Sequence, residues 1–249
     1  MNNATIFESF TLPSKGLIYD KEVNPRVTLR SMTTLEEMKR LSPTDTPYKV
    51  MSDIIEACMQ EKPSIHVYNM ALGDYQFLLH KLRVVTYGPE YKMLIKCNHC
   101  DAVTESIANL DSLAVNEYTP DIIKQKMITL PKTNRQVLLR FQTPHDLDQI
   151  AYLSAEMKKK TKQNIDYSVL YTLVSLVEKV DGQILDPISV EEFIKNLPSR
   201  DANYILNQAT KLSNAVGVDN EITIKCANCG AEMRTPFRIT SEFFGPTTD

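Results

Sequence analysis

The stretch IKCNHC, residues 95–100, recurs 129 positions later as IKCANC, residues 224–229. One Cys-x-x-Cys reads as a redox pair, half of a metal site or a coincidence; two in near-identical settings narrow the choice. The spacing sets two thiolates close enough to share an ion, and a structural Zn(II) site usually takes about four such ligands in a tetrahedron. Each knuckle supplies two. The economical reading is therefore that Cys97, Cys100, Cys226 and Cys229 converge on one zinc per chain, each pair at the tip of a β-hairpin as in a zinc ribbon. Closing a loop of about 125 residues costs roughly 4 kcal/mol, whereas structural zinc binding contributes on the order of 10–16 kcal/mol, so the separation in sequence is no obstacle. The redox alternative requires a helix start beside the cysteines to lower a thiol pKa. Here strand-like sequence flanks both pairs: Tyr91, Met93 and Ile95 alternate into the first, and residues 103–107 lead away. His99 lies inside the first knuckle, but the matching position holds Asn228, which favours a surface role for it.

Working outward, the second half reads as the first half again. Val137, Leu139, Arg140 and Thr143 match Val27, Leu29, Arg30 and Thr33 at a constant offset of 110. Val27 and Leu29 alternate like a strand, and Thr33 or Thr34 with Glu36 or Glu37 makes a capping box that opens a helix to Leu41. In the second half TPHD replaces TTLE, with Pro144 at the first helical position and Asp146 at the third. Gly88 and Gly217 each stand nine residues before their knuckle. Val50, Met51, Ile54, Ile55 and Cys58 fall on one helical face, where Cys58 reads as a buried thiol, and a further amphipathic helix follows Gly73 and Asp74. In the second half a long apolar helix is expected over about 167–180, another capped by Ser189 with Glu192, and a third capped by Ser199. The expected fold is α+β: two related modules of helices plus a β-hairpin, an internal duplication joined by the shared four-cysteine site. Its segments are an N-terminal docking arm at 1–26, a first module at 27–118, a linker at 119–136 and a second module with a C-terminal tail at 137–249.

Composition excludes several functions. The 249 residues carry a formal net charge of −3, with ordinary hydrophobic and charged fractions of 43% and 24%, so there is no overall electrostatic footprint for phosphate backbones or anionic membranes. The start lacks a secretory pattern and no stretch approaches the roughly 18 apolar residues of a membrane span, so the chain is expected to be intracellular when made. Its five cysteines then argue for metal or free thiols over disulfides. Seven glycines leave no GxGxxG or GxxxxGK[ST] loop, and His66, His80, His99 and His145 form no HExxH. A zinc held by four cysteines has no open position for water or substrate, so neither catalysis nor a small-molecule substrate is expected. Lys158, Lys159, Lys160 and Lys162 form a basic run at a helix end, where solvation and the macrodipole account for it; Trp is absent, so stacking platforms for bases are not evident. A zinc-ribbon nucleic-acid-associated factor stands as the alternative function.

Both ends hold apolar residues. In the arm, Leu12, Leu17, Ile18 and Tyr19 lie around Pro13 and Gly16, an extended pattern that suits strand addition or docking in a partner's groove. In the tail, Phe243 and Phe244 read either as a second partner contact or as folded back on the chain's own modules.

LPSKGLIYD (12–20), VTLRSMTTLEEMKRL (27–41), LGDYQFLLHKLRVVTYGPEY (72–91) and IKCNHC together resemble the baseplate protein family of contractile-tailed, T-even-type bacteriophages. The resemblance implies a structural or assembly protein, a hub or wedge component or an assembly factor, with other baseplate proteins as partners. It also implies a place in the virion tail after assembly in the host cytoplasm. The second half departs from the pattern, with NAVGVDN where the first has VTYGPEY.

Overall fold

Two strands, Phe7–Thr11 and Met127–Thr129, run into a Thr-Leu-Pro, at 11–13 and 129–131. The computed structural model describes residues 7–219, 221–236 and 241–244. The first half runs β1 (Phe7–Thr11), β2 (Arg26–Arg30), α1 (Thr34–Leu41), α2 (Pro47–Cys58), α3 (Leu72–Tyr87), β3 (Glu90–Lys96) and β4 (Val103–Asn109). The chain continues through β5 (Val115–Asn116), α4 (Asp121–Gln125), β6 (Met127–Thr129), β7 (Gln136–Leu139), α5 (Pro144–Thr161), α6 (Ser168–Leu176) and β8 (Val177–Val180). It ends with α7 (Pro187–Lys195), α8 (Ser199–Asn214), β9 (Gly217–Val218), β10 (Glu221–Lys225) and β11 (Glu232–Pro236). This is a mixed helix and sheet fold with small antiparallel sheets.

β1 pairs antiparallel with β2, and β6 with β7. A third backbone segment closes each sheet on the far side, from the residue just after the second helix. Leu29 bridges to Met59 after α2, and Leu139 pairs with Val177 after α6. Past β2 and β7 the chain is locked by the same clasp. Arg30 donates from Nη1 and Nη2 to the Glu36 carboxylate at 2.9 and 2.7 Å, while Thr33 donates to it from its backbone N–H at 2.7 Å. Arg140 and Thr143 treat Asp146 identically, with the Thr143 N–H at 2.8 Å. These are the capping boxes that open α1 and α5. Orphan N–H groups at the helix start and a guanidinium are satisfied by one carboxylate, and this fixes the angle between strand and helix. The Arg30 guanidinium holds the Glu36 carboxyl down to about 2 against the opposing effect of burial, with Thr33 helping.

A second buried acid ties the beginning of each half to its last helix. Asp74 on α3 accepts from the Ser14 N–H at 3.0 Å, the Ser14 hydroxyl at 2.5 Å and the Tyr19 hydroxyl at 2.6 Å. On α8, Asp201 accepts from the Lys132 and Thr133 N–H groups at 2.8 and 3.0 Å and from the Thr133 hydroxyl at 2.8 Å.

These contacts correct the segmentation expected from the sequence. The described part of the expected arm at 1–26, residues 7–26, packs on the chain itself: β1 is a sheet strand and Leu12, at 1% exposure, is a core residue. Pro13 and Gly16 are also buried, Ile18 and Tyr19 are half-buried, and only Leu17 of the six stays open, at 59%. The linker at 119–136 supplies α4 and β6, and its Ile122, Ile128 and Leu130 are buried with Val137, Leu139, Leu173 and Leu212 in the second core. The last residues cross back: Ile222, Ile224, Phe243 and Phe244 belong to the first core, with Leu29, Ile55 and Leu78. Residues 1–6 of the expected arm and 245–249 of the tail lie outside the described residues. The helix expected over 167–180 ends at Leu176, because Val177 and Val180 find the free side of β7. Asp186, three residues before Ser189, caps α7 through the Ile188 and Ser189 N–H groups.

The halves meet where α3 starts against β9. A Cβ on Gly73 would lie 2.1 Å from the Val216 carbonyl oxygen, and Gly217, at φ +128°, faces the Gly73 Cα. Only two glycines allow that approach.

Two outcomes follow from this packing. Leu12→Ala should cost about 2–5 kcal/mol in chemical denaturation, while Leu17→Ala should stay within about 0.5 kcal/mol; similar losses from both would mean that the arm is not core. For the clasp, the folded pKa of Glu36 lies below its ordinary 4.5. Its stabilisation is therefore complete above that value and is lost as pH falls toward about 2. Glu36→Gln should lower stability at neutral pH by roughly 1–2 kcal/mol and remove that part of the acid limb; urea midpoints that track the native protein between neutral pH and about pH 3 would contradict it.

Candidate metal centre

Each cysteine pair sits on the turn of a two-stranded ribbon. The last pairs of β3–β4 are Ile95 with Thr104 and Lys96 with Val103; those of β10–β11 are Ile224 with Met233 and Lys225 with Glu232. Cys97 donates its N–H to the Ala102 carbonyl at 2.8 Å and accepts from the Asp101 N–H at 3.0 Å. In the second turn Cys226 bonds to Ala231 and Gly230 in the same way, both at 2.9 Å. The residue after each second cysteine takes positive φ, +57° at Asp101 and +73° at Gly230, which swings the following strand back along the first.

The two turns bring the four sulfurs of Cys97, Cys100, Cys226 and Cys229 within 4.8 Å of one another. Cys97 Sγ lies 3.7 Å from Cys229 Sγ, and Cys100 Sγ lies 3.8 Å from Cys226 Sγ. A tetrahedron with metal–sulfur bonds of about 2.3 Å has edges of roughly 3.8 Å, so the donor set fits a four-coordinate metal. The electrostatics agree. Cys226 is lowered to about 6 by the N–H groups of Cys229 and Asn228. Cys229, despite the Ala231 N–H beside it, is pushed up to about 12 because it shares the space with Cys100, Cys226 and Cys97. Four thiols this close cannot all ionise without a cation. Asn228 of the second turn reaches across to Cys100 Sγ at 3.6 Å, and the His99 N–H points at Cys97 Sγ at 3.4 Å. Cys97 and Cys226 are buried together with Met233, and Cys229 is exposed. With four sulfurs a tetrahedral metal is fully coordinated, so the site can hold two ribbons together but offers no position for a substrate.

The model of the T4 bacteriophage base plate protein family matches residues 6–245. The chain belongs to that family. No curated protein and no solved structure matches it at a significant level. Membership points to a structural rather than a catalytic protein of the phage tail, with other phage tail proteins as partners. Among the described residues, no helix is long and apolar enough to cross a membrane.

In this baseplate protein the other residues singled out from the sequence are scattered. Tyr19 bonds to Asp74, and its hydroxyl accepts from the Ala71 N–H at 3.2 Å. Phe243 is held through its carbonyl by Nε of the buried Arg83 at 2.8 Å, and its ring lies 5.1 Å from that of Phe244. Cys58 is buried beside Arg30, and burial raises its thiol to about 12. Nothing in the sequence pattern assigned a bonding role to Asp74, Asp201, Ser14 or Thr133. A signal for them existed: Thr-Leu-Pro occurs at both 11–13 and 129–131.

The purified chain should carry one metal ion. Cys97→Ser and Cys226→Ser should each lower metal retention and thermal stability to a similar degree, since either leaves three sulfurs, and Cys58→Ser should leave the metal content unchanged. Two ions per chain, or none after anaerobic preparation, would rule out the shared site.

Proposed function

We propose that the chain is a structural or assembly protein of a contractile tail baseplate, a hub or wedge component or its escort, acting through protein–protein contacts with one structural zinc as an internal staple. The observation that carries this is the family match over residues 6–245 combined with a metal site closed by its own four cysteines. Zinc is the metal favoured by four thiolates without redox duty. Assembly takes place in the host cytoplasm, where reducing conditions keep the four thiols available for metal.

We also read the chain as an internal duplication. The support is the recurrence of four fastenings in the same order: strand and Thr-Leu-Pro, the arginine–threonine–acid clasp, the buried aspartate on the last helix, and the cysteine turn. On this reading segments 7–26 and 119–136 are copies of one element, and the roughly 19 extra residues of the second half sit among its helices. Leu17 is the arm residue left open for a partner.

Mass spectrometry of mature particles, together with pull-down of the tagged chain from infected cells, tests the function. Recovery in the particle marks a resident component, and recovery only with baseplate intermediates marks an escort. Absence from both would refute the proposal. Salt-sensitive retention on DNA in place of tail proteins would favour the zinc-ribbon nucleic-acid reading.

A further inference from the structure

The two halves are joined by a contact whose counterpart is left open. Asp148 on α5, 2% exposed, reaches onto the first half. It caps the start of α2 by accepting from the Tyr48 and Lys49 N–H groups at 3.3 and 2.9 Å, and it accepts from the Tyr68 hydroxyl at 3.0 Å. His145, one turn earlier, stacks edge-on against Tyr68 at 5.1 Å. In the clasp, Arg140, Thr143 and Asp146 correspond to Arg30, Thr33 and Glu36, so the positions of His145 and Asp148 correspond to Leu35 and Met38 on α1. That face of α1 is turned to solvent: Leu35, Met38 and Leu41 are 61%, 62% and 66% exposed, while the acidic Glu36 points inward. An amphipathic helix of this kind ordinarily buries its apolar stripe.

The receiving surface has a counterpart as well. α6 follows α5 as α2 follows α1, and the start of α6 presents Ile165 and Val169, 51% and 50% exposed. Val169 stands at the second position of its helix, as Tyr48 does in α2. So the polar joint inside the chain, a carboxylate on a helix start, has an apolar version whose two halves lie on different parts of the same molecule. Lys39 beside the α1 stripe and Asp166 beside Val169 add opposite charges at the rim. α1 makes its substantial packing contact with α2 and none of that extent with α6, so the joint does not close on itself within the chain.

We infer that α1 of one copy docks through Leu35, Met38 and Leu41 onto the α6 start of a second copy, at Ile165 and Val169, repeating between chains the joint that α5 makes on α2 within one. The contact is heterologous, each copy using one surface to give and another to receive, so it builds rings or short filaments rather than closed two-fold dimers. This inference rests on the duplication reading, not on the metal.

Sedimentation equilibrium of the full zinc-loaded chain tests it. The native chain should self-associate with concentration, and Met38→Lys or Val169→Lys should each weaken association at least roughly tenfold, because a lysine would be placed in an apolar contact. A mixture of the two variants should form a dimer and nothing larger, since one keeps the receiving surface and the other the giving one. That dimer also shows that both variants fold. A native chain that stays monomeric at about 100 μM, near the upper end for a contact between transient partners, overturns the inference. So does a Val169→Lys chain that associates normally, which would mean α1 meets α1. Neither result touches the baseplate reading, which is decided on particles and cell extracts, or the metal, which is decided by content.

Discussion

Four thiolates within 4.8 Å of one another would need a cation between them, and the rest of the chain is arranged to bring the four cysteines together. The two cysteine turns are 129 residues apart, so the chain must leave the first core after β4, build a second core, and return. The return is visible in the packing. β10 brings Ile222 and Ile224 back to the core of Leu29 and Leu78, and the final described residues close over it with Phe243 and Phe244. Residues 118–216 thus form a lobe inserted between the two halves of one metal site. An ion there would make unfolding of either ribbon cost the loss of the whole site, which adds to the contacts the two cores make through α3 with β9 and α8 and through α2 with α5.

Within each half, buried carboxylates fix where the strand turn sits against the helix, in addition to the apolar core. Asp74 and Asp201 make nearly the same bonds, yet their electrostatics differ. Burial dominates at Asp74 and raises it despite Ser14 and Tyr19; at Asp201 burial is outweighed by Thr133 and the two N–H donors, and the acid is lowered. A geometry can therefore be kept while its charge balance shifts, because the bonds specify where the strand turn must sit relative to the helix. Replacing either acid by an apolar group would strand buried N–H donors, and that penalty is larger than the net gain from any one of the bonds.

Much of this was legible in the sequence. The paired turns announced the metal site because cysteine spacing is a direct statement of chemistry. Thr33 or Thr34 with Glu36 or Glu37, and Thr143 with Asp146, announced cap and helix after a strand because capping is local. What escaped was decided at a distance. Leu12 reads as an arm residue until Asp74, 60 residues beyond Ser14, calls for the donors beside it. Val177 to Val180 continue an apolar run in which helix and strand look alike, and only the open side of β7 makes them a strand. Phe243 is secured by a bond from Arg83, 160 positions away, which no periodicity reveals.

A chain containing two such similar halves must also keep them from exchanging partners, and the internal joint shows how. If α1 of a neighbour replaced α5 on α2, Met38 would stand where Asp148 stands and leave the Tyr48 and Lys49 N–H groups and the Tyr68 hydroxyl without their acceptor. These donors are part-buried, so each one left unpaired costs at most about 1–3 kcal/mol, and the exchange is unfavourable before any packing difference is counted. In the opposite exchange, α5 on an α6 start, Asp148 would be desolvated against Ile165 and Val169 and beside Asp166, which already accepts from the Ser168 N–H at 2.9 Å. Both wrong pairings are penalised by the same pair of changes, polar for polar inside and apolar for apolar outside. On the duplication and docking readings proposed above, the divergence at positions 38 and 148 would give the two joints different chemistry, apolar at Met38 and polar at Asp148.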